Sequence, residues 1–345
     1  MANDIDHNDR EEGGLVTNRG LNARDAGRRL RFFGGWALIG IIVSALLTSF
    51  LFQWQEQIAA AIARDSIKFG RLFDRIFMIW LAGVLVFMFR RGWHPGRRVI
   101  GWVYPKGWTR ELVIGFVIGL MTLLPIWLLQ LVAGFRSMTP GLGIADYLLI
   151  IGGGLLSGWV VALLEEYFFR GLMQSWLVAW AGTVPGIIIG ALVYMIPHYL
   201  RGPELPEGMT GTEWYAGLAA VPSCFRYFHP DRGLYMAMLS LFLVGLFLGF
   251  LRLRLGRLTL GMGLHAGWVL MIRWIGETTD RVPHDWVWLV GSKHGIDGVI
   301  GIALILVSWL LVDVYARKCL VPVGESGENN SLGLEEKRET GAGDG

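Results

Sequence analysis

Eight apolar stretches of membrane-spanning length recur along this chain between residues 32 and 317. A helix needs roughly 20 apolar residues to cross about 30 Å of hydrocarbon. On that ruler the chain reads as an all-α, polytopic membrane helical bundle of about eight transmembrane helices. They fall near residues 32–52, 72–89, 112–134, 147–180, 183–200, 234–252, 257–275 and 298–317. In the second, the uninterrupted apolar run covers only 76–89, and the preceding "IAAAIARDSIKFGRLF" reads as an amphipathic segment at the interface. Composition agrees. Charged residues make up 17%, below the roughly 25% of soluble domains, and the 48 glycines and 16 tryptophans suit a bilayer.

Residues 1–31 and 318–345 are polar and read as tails around a membrane domain at 32–317. No apolar run begins before about residue 32, so the first tail is not read as a cleavable signal. A net charge of +3 without a basic, aromatic-interleaved stripe gives no reason to expect a nucleic-acid partner. Cys224 and Cys319 supply neither a disulfide nor a metal framework. Four basic clusters, "GRRLRF", "RRGWHPGRR", "RLRLGR" and "ARK", fall on one side of an alternating eight-helix topology. The positive-inside rule makes that side cytoplasmic, with both termini inside. The expected location is a bacterial cytoplasmic (inner) membrane.

Against this apolar background "LLEEYFFRG", residues 163–171, carries three formal charges. Each costs about 2.5–3.5 kcal/mol near the centre of a membrane helix. Glu166 and Arg170 are four residues apart with the acid first, the favourable order for mutual neutralisation. Glu165, rotated about 100° from Glu166, is left over. If the helix turns at Gly182–Gly186, Glu165 and His198 of "YMIPHYL" each lie about 16 residues, roughly 24 Å, from the turn. A hairpin then sets them at equal depth. A third polar residue, His265, lies among Gly261, Gly263 and Gly267, which permit close helix approach. Singly, a buried Glu–Arg pair can be structural glue and a membrane histidine a satisfied polar contact. Together, on three helices, they read as a functional site.

"EEYFFRG", "YMIPH" and "GLHAGW" together resemble the three motifs of the CPBP family, the CAAX prenyl protease and bacteriocin-processing (Abi) group. Its pattern is EExxxR, FxxxH and HxxxN, each on its own membrane helix, and the resemblance spans roughly residues 112–275. Tyr194 stands where phenylalanine is usual, and Val269 where the asparagine is usual. The resemblance implies an intramembrane endopeptidase acting on a membrane-associated or lipidated protein or peptide through a glutamate-activated water, without a metal. Hydrolysis needs an activated water and a donor for the tetrahedral oxyanion. Glu165 is expected to act as base with His198 sharing the water, Glu166 and Arg170 to hold the helix and tune the field, and His265 to donate to the oxyanion. With valine at 269, His265 alone, Trp268 or a backbone group would have to complete the oxyanion hole.

Zinc is the alternative chemistry, because two histidines and two glutamates could ligate it, although no H-E-x-x-H is present. Two other functions stay open: a catalytically degenerate immunity or partner protein, motivated by Val269, and a proton-coupled transporter using the buried carboxylate. The latter often shows duplicated halves, and none is visible here. The charge bias also sets His198 toward the outer face, whereas a prenylated substrate arrives from the cytosol. The 33-residue connection from Arg201 to Gly233 reads as a lid or substrate-recognition element, or else as a packed surface loop.

Overall fold

The computed structural model describes residues 21–61, 66–228, 231–291 and 297–320. All eight expected helices are present in it. Their bounds are α1 Ala23–Phe52, α3 Phe69–Arg90, α4 Trp108–Val132, α5 Ile144–Glu165 running on into α6 Gln174–Ala181, α7 Thr183–Met195, α9 Arg232–Leu255, α10 Thr259–Thr278 and α12 Val299–Cys319. Six helices among the described residues are long and apolar enough to span a membrane. Of the other two, Thr183–Tyr199 is shorter and α10, though continuous, has its apolar run broken by His265 and Arg273. Three short helices, α2 (Gln55–Ala61), α8 (Ala216–Ala220) and α11 (Val287–Val290), lie in the connections. The expected interfacial segment falls partly on α2 and α3, with residues 62–65 outside the described part.

Two details depart from the sequence reading. Helix α1 starts nine residues before position 32, because the Asn22 side chain caps it by accepting from the Asp25 N–H. The apolarity ruler sees only the part of a helix that lies in hydrocarbon. The rest of the expected tails, 1–20 and 321–345, lies outside the described residues. A small antiparallel ladder also joins β1 (Arg136–Met138) to β2 (Thr279–Arg281).

Neighbouring side chains establish strict alternation of helix direction. Phe32 meets Phe87 at 5.8 Å and Trp36 meets Trp80 at 5.6 Å, so α1 and α3 run antiparallel. Phe247 meets Trp309 at 5.4 Å and Arg254 meets Asp313 at 2.8 Å, so α9 and α12 run parallel. The basic clusters consequently gather at one end of the bundle. There Arg29 donates to the Trp93 carbonyl at 2.9 Å, Arg252 donates to the Val99 carbonyl, and Gly27 abuts Trp180 beside the Gly182 turn.

Helix α10 lies at the centre and is held by backbone-to-backbone approach on two sides. A Cβ on Gly263 would sit 2.1 Å from the Leu112 carbonyl of α4, and one on Gly119 would sit 2.3 Å from the Leu264 carbonyl. On α5, Gly158 presses on Ala266 in the same way. Small residues four apart are the usual means of such approach in membranes, where lipid is as apolar as leucine and packing must drive association. Both ends of α10 are pinned. Arg257, just before it, makes a buried bidentate pair with Glu111, at 2.7 Å to Oε1 and 2.9 Å to Oε2, and Thr259 bonds the same carboxylate. At the far end Arg136 donates to the Ile275 and Thr279 carbonyls at 3.1 and 2.9 Å, satisfying acceptors that a helix terminus leaves open.

The connection after α7 is a packed element. The Gly217 N–H donates to Ser49 Oγ at 2.7 Å, and a Cβ on Gly217 would lie 2.0 Å from the Ala45 carbonyl of α1. Gly263→Ala should therefore force helices α4 and α10 apart. We expect a loss of about 1–3 kcal/mol, read as a lower unfolding midpoint of the purified protein in detergent.

Candidate active site

The charged stretch begins where helix geometry changes. Helix α5 ends at Glu165, and residues Glu166–Met173 continue as a π-helix before α6 resumes regular pairing. Its i→i+5 hydrogen bonds widen the turn, a deviation often found at functional sites. The one-residue hinge at Gly182, with φ of 88°, then returns the chain as α7. Glu165 and His198 stand 17 and 16 residues from it.

Glu166 and Arg170 form an ion pair at 3.2 Å, with side chains 1% and 2% exposed. The same Glu166 oxygen accepts from His265 Nδ1 at 2.9 Å. Arg170 also stacks over the ring of Tyr194, its guanidinium carbon 4.0 Å from the ring centroid. The other nitrogen of His265, Nε2, faces Glu165 Oε2 at 3.7 Å. His198 donates Nδ1–H to the Tyr194 carbonyl at 2.9 Å, its ring 4.7 Å from that of Tyr194. No Glu165–His198 hydrogen bond is formed among the described residues; the two interact through space.

Five of the sequence-selected residues thus surround Tyr194 or touch one another: Glu165, Glu166, Arg170, His198 and His265. Trp268 does not join them. Its ring packs against Phe247 in the core at 6.0 Å, and its N–H has no partner among the described residues. Val269, half-buried one turn beyond His265, brings no polar side-chain atom.

The hydrogen bonds decide which nitrogens remain for chemistry. A carbonyl takes the Nδ1 proton of His198, and a carboxylate paired with arginine takes that of His265. In a neutral imidazole the remaining nitrogen is an acceptor. Each histidine thus commits Nδ1 as a donor and leaves Nε2, an acceptor when the ring is neutral and a donor when it is protonated, for chemistry. Glu165 Oε2 is itself buried and meets no hydrogen-bond donor among the described residues. A zinc ion would need three or four converging ligands, and no three His, Cys, Asp or Glu side chains among the described residues are arranged to hold one.

The sequence reading did not foresee the loop between α3 and α4. The stretch "RRGWHPGRR" served there only to set orientation, yet His94 Nε2 shares a hydrogen bond with the Tyr167 hydroxyl at 3.1 Å. Trp102 meets the Tyr167 ring edge-on at 5.3 Å, and Ser175 donates to the Val99 carbonyl at 2.9 Å. Burial, and then the charge of Arg97, shift the His94 pKa downward and so favour its neutral ring. A tryptophan, a histidine and a proline inside a basic cluster were the available signal.

Residues 147–271 match the family model described as Type II CAAX prenyl endopeptidase Rce1-like, a span that holds Glu165, Glu166, Arg170, Tyr194, His198 and His265 but not the loop that carries His94. This agrees with the resemblance carried by the three motifs. No curated protein and no solved structure matches the chain.

Removing one partner of the buried ion pair leaves the other uncompensated, which costs about 3–5 kcal/mol. Arg170→Met should accordingly lower accumulation of the protein in membranes and its unfolding midpoint in detergent. The double change Glu166→Gln with Arg170→Met should recover part of both.

Proposed function

We propose that this chain, whose core is of the type II CAAX prenyl endopeptidase kind, cleaves a peptide bond of a membrane-associated or lipidated protein with a water activated by Glu165. The observation that carries the reading is the state of that carboxylate. Its neighbour Glu166 is neutralised by Arg170 and held by His265, whereas Glu165 has an oxygen without a donor, beside the Nε2 of His265. A carboxylate so placed, with the His198 lone pair nearby, is equipped to take a proton from water.

The reaction balances without a further reagent. Water attacks the carbonyl carbon and gives its proton to Glu165, with His198 accepting the water's second hydrogen bond. The carbonyl electron pair moves to oxygen and forms the tetrahedral intermediate. Collapse breaks the C–N bond, and the proton held by Glu165 passes to the departing amine. Acid–base chemistry of this kind requires no metal, and we assign none.

The basic end is taken as cytoplasmic, on the positive-inside rule. His265 stands six residues beyond Thr259, the first residue of α10 at that end, about 9 Å along the axis. The loop carrying His94 reaches Tyr167, two residues from Glu165. The depth of His265 and the reach of that loop support a substrate approaching from the cytoplasmic side; the Gly182 turn at the same end stands 17 residues from Glu165 and projects beyond them. A second reading, a non-catalytic partner protein that keeps the fold, is favoured by Val269 alone.

Glu165→Ala should lower cleavage by about 10²–10⁴-fold, with the protein still present in membranes and uncleaved precursors accumulating in a comparative membrane proteome. Unchanged turnover in that variant would favour the non-catalytic reading. Cleavage by the purified protein should also survive a metal chelator. Loss that zinc restores would overturn the metal-free assignment.

A further inference from the structure

The proposed hydrolysis demands a donor for the oxyanion, and the site's inventory of protons is short. His265 has committed Nδ1–H to Glu166, and His198 has committed Nδ1–H to a backbone carbonyl. The nitrogens they turn toward the reaction space are acceptors in the neutral rings. Val269 has nothing to donate, and the Trp268 indole is held in the core against Phe247. The Arg170 guanidinium, whose two terminal nitrogens make no hydrogen bond among the described residues, is held by its ion pair with Glu166. The Tyr167 hydroxyl is shared with His94. Between the two histidines the neutral donor is the O–H of Tyr194. Tyr194 is buried at 3% exposure, with its ring between His198 at 4.7 Å and His265 at 6.5 Å and under the Arg170 guanidinium at 4.0 Å. Its hydroxyl interacts electrostatically with Glu165, Arg170 and Glu166, the residues that border the reaction space.

We propose that the Tyr194 hydroxyl is the oxyanion donor of this protein and takes the place of the amide that Val269 lacks. The two departures from the family pattern are then one exchange: a donor is lost from α10 and gained on α7. The assignment rests on the hydrolase reading above. A phenol suits the role because its O–H can turn toward the developing charge while the ring keeps its packing. The cationic guanidinium over the ring draws electron density from it and strengthens the donor. During the step the hydroxyl keeps its proton and only hydrogen-bonds the oxygen that gains the electron pair.

Tyr194→Phe deletes the hydroxyl and leaves the ring contacts. The probe is the precursor that accumulates in Glu165→Ala membranes, presented to purified full-length variants in proteoliposomes. Removing one oxyanion donor costs about 10²–10³-fold in kcat, so Tyr194→Phe should lose that much with KM unchanged and the unfolding midpoint preserved. Tyr194→Phe with Val269→Asn should regain most of the rate. Val269→Asn alone, in a chain that keeps the hydroxyl, should change kcat by only a few fold. Full activity of Tyr194→Phe, or a rise of about 100-fold with Val269→Asn alone, would overturn the assignment. If no precursor accumulates with Glu165→Ala, the hydrolase reading fails and Tyr194 falls with it. Accumulation with Glu165→Ala but not with Tyr194→Phe removes the Tyr194 assignment alone.

Discussion

A buried carboxylate inside a membrane domain must be neutralised where it stands, and Glu166 meets that demand twice. Arg170 pairs with it at 3.2 Å and His265 donates to it at 2.9 Å. Because one partner lies on the same stretch of helix and the other on α10, the pair also ties two helices together at the depth of the site. Arg170 extends the tie to α7 by stacking on Tyr194. The three motif-bearing helices are thus joined through one guanidinium and one carboxylate. In hydrocarbon neither group has water as an alternative partner.

That neutralisation separates two adjacent glutamates into different chemical situations. Glu166 is paired through Oε1 with both partners and holds the structure. Glu165, one residue earlier, lies on the side where His265 Nε2 faces a carboxylate oxygen that has no hydrogen-bond partner among the described residues. The difference arises from rotation about one helix axis at the junction of α5 and the π-helical turn.

Much of this was legible in the residues. Apolar run length located all eight helices, since hydrocarbon thickness is a ruler that sequence must obey. The i,i+4 spacing of Glu166 and Arg170 anticipated their pair, and "GMGLHAG" anticipated close approach around His265. Other features leave no periodic trace. The π-helix is invisible because a change from i→i+4 to i→i+5 pairing is carried by the backbone and has no residue signature of its own. The charges of the stretch marked the place but not the geometry. The cap at Asn22 lies beyond the apolar run. Trp268 was named for its indole N–H, but at a position three residues from His265 its ring turns toward Phe247. Tyr194 was read as a mild departure from phenylalanine, because sequence alone does not show that its ring lies between both histidines and the arginine.

The glycine seams of α10 have a mechanical meaning. A helix whose backbone touches α4 on one side and α5 on the other has little side-chain layer to deform along those seams, so displacing it requires the neighbouring helices to move with it. The wall of the site that carries His265 is the stator of the machine. The opposite wall is built differently: there α7 ends in a short 3-10 turn around His198, and the loop after α3 meets the π-helical turn through the hydrogen bond of His94 with Tyr167.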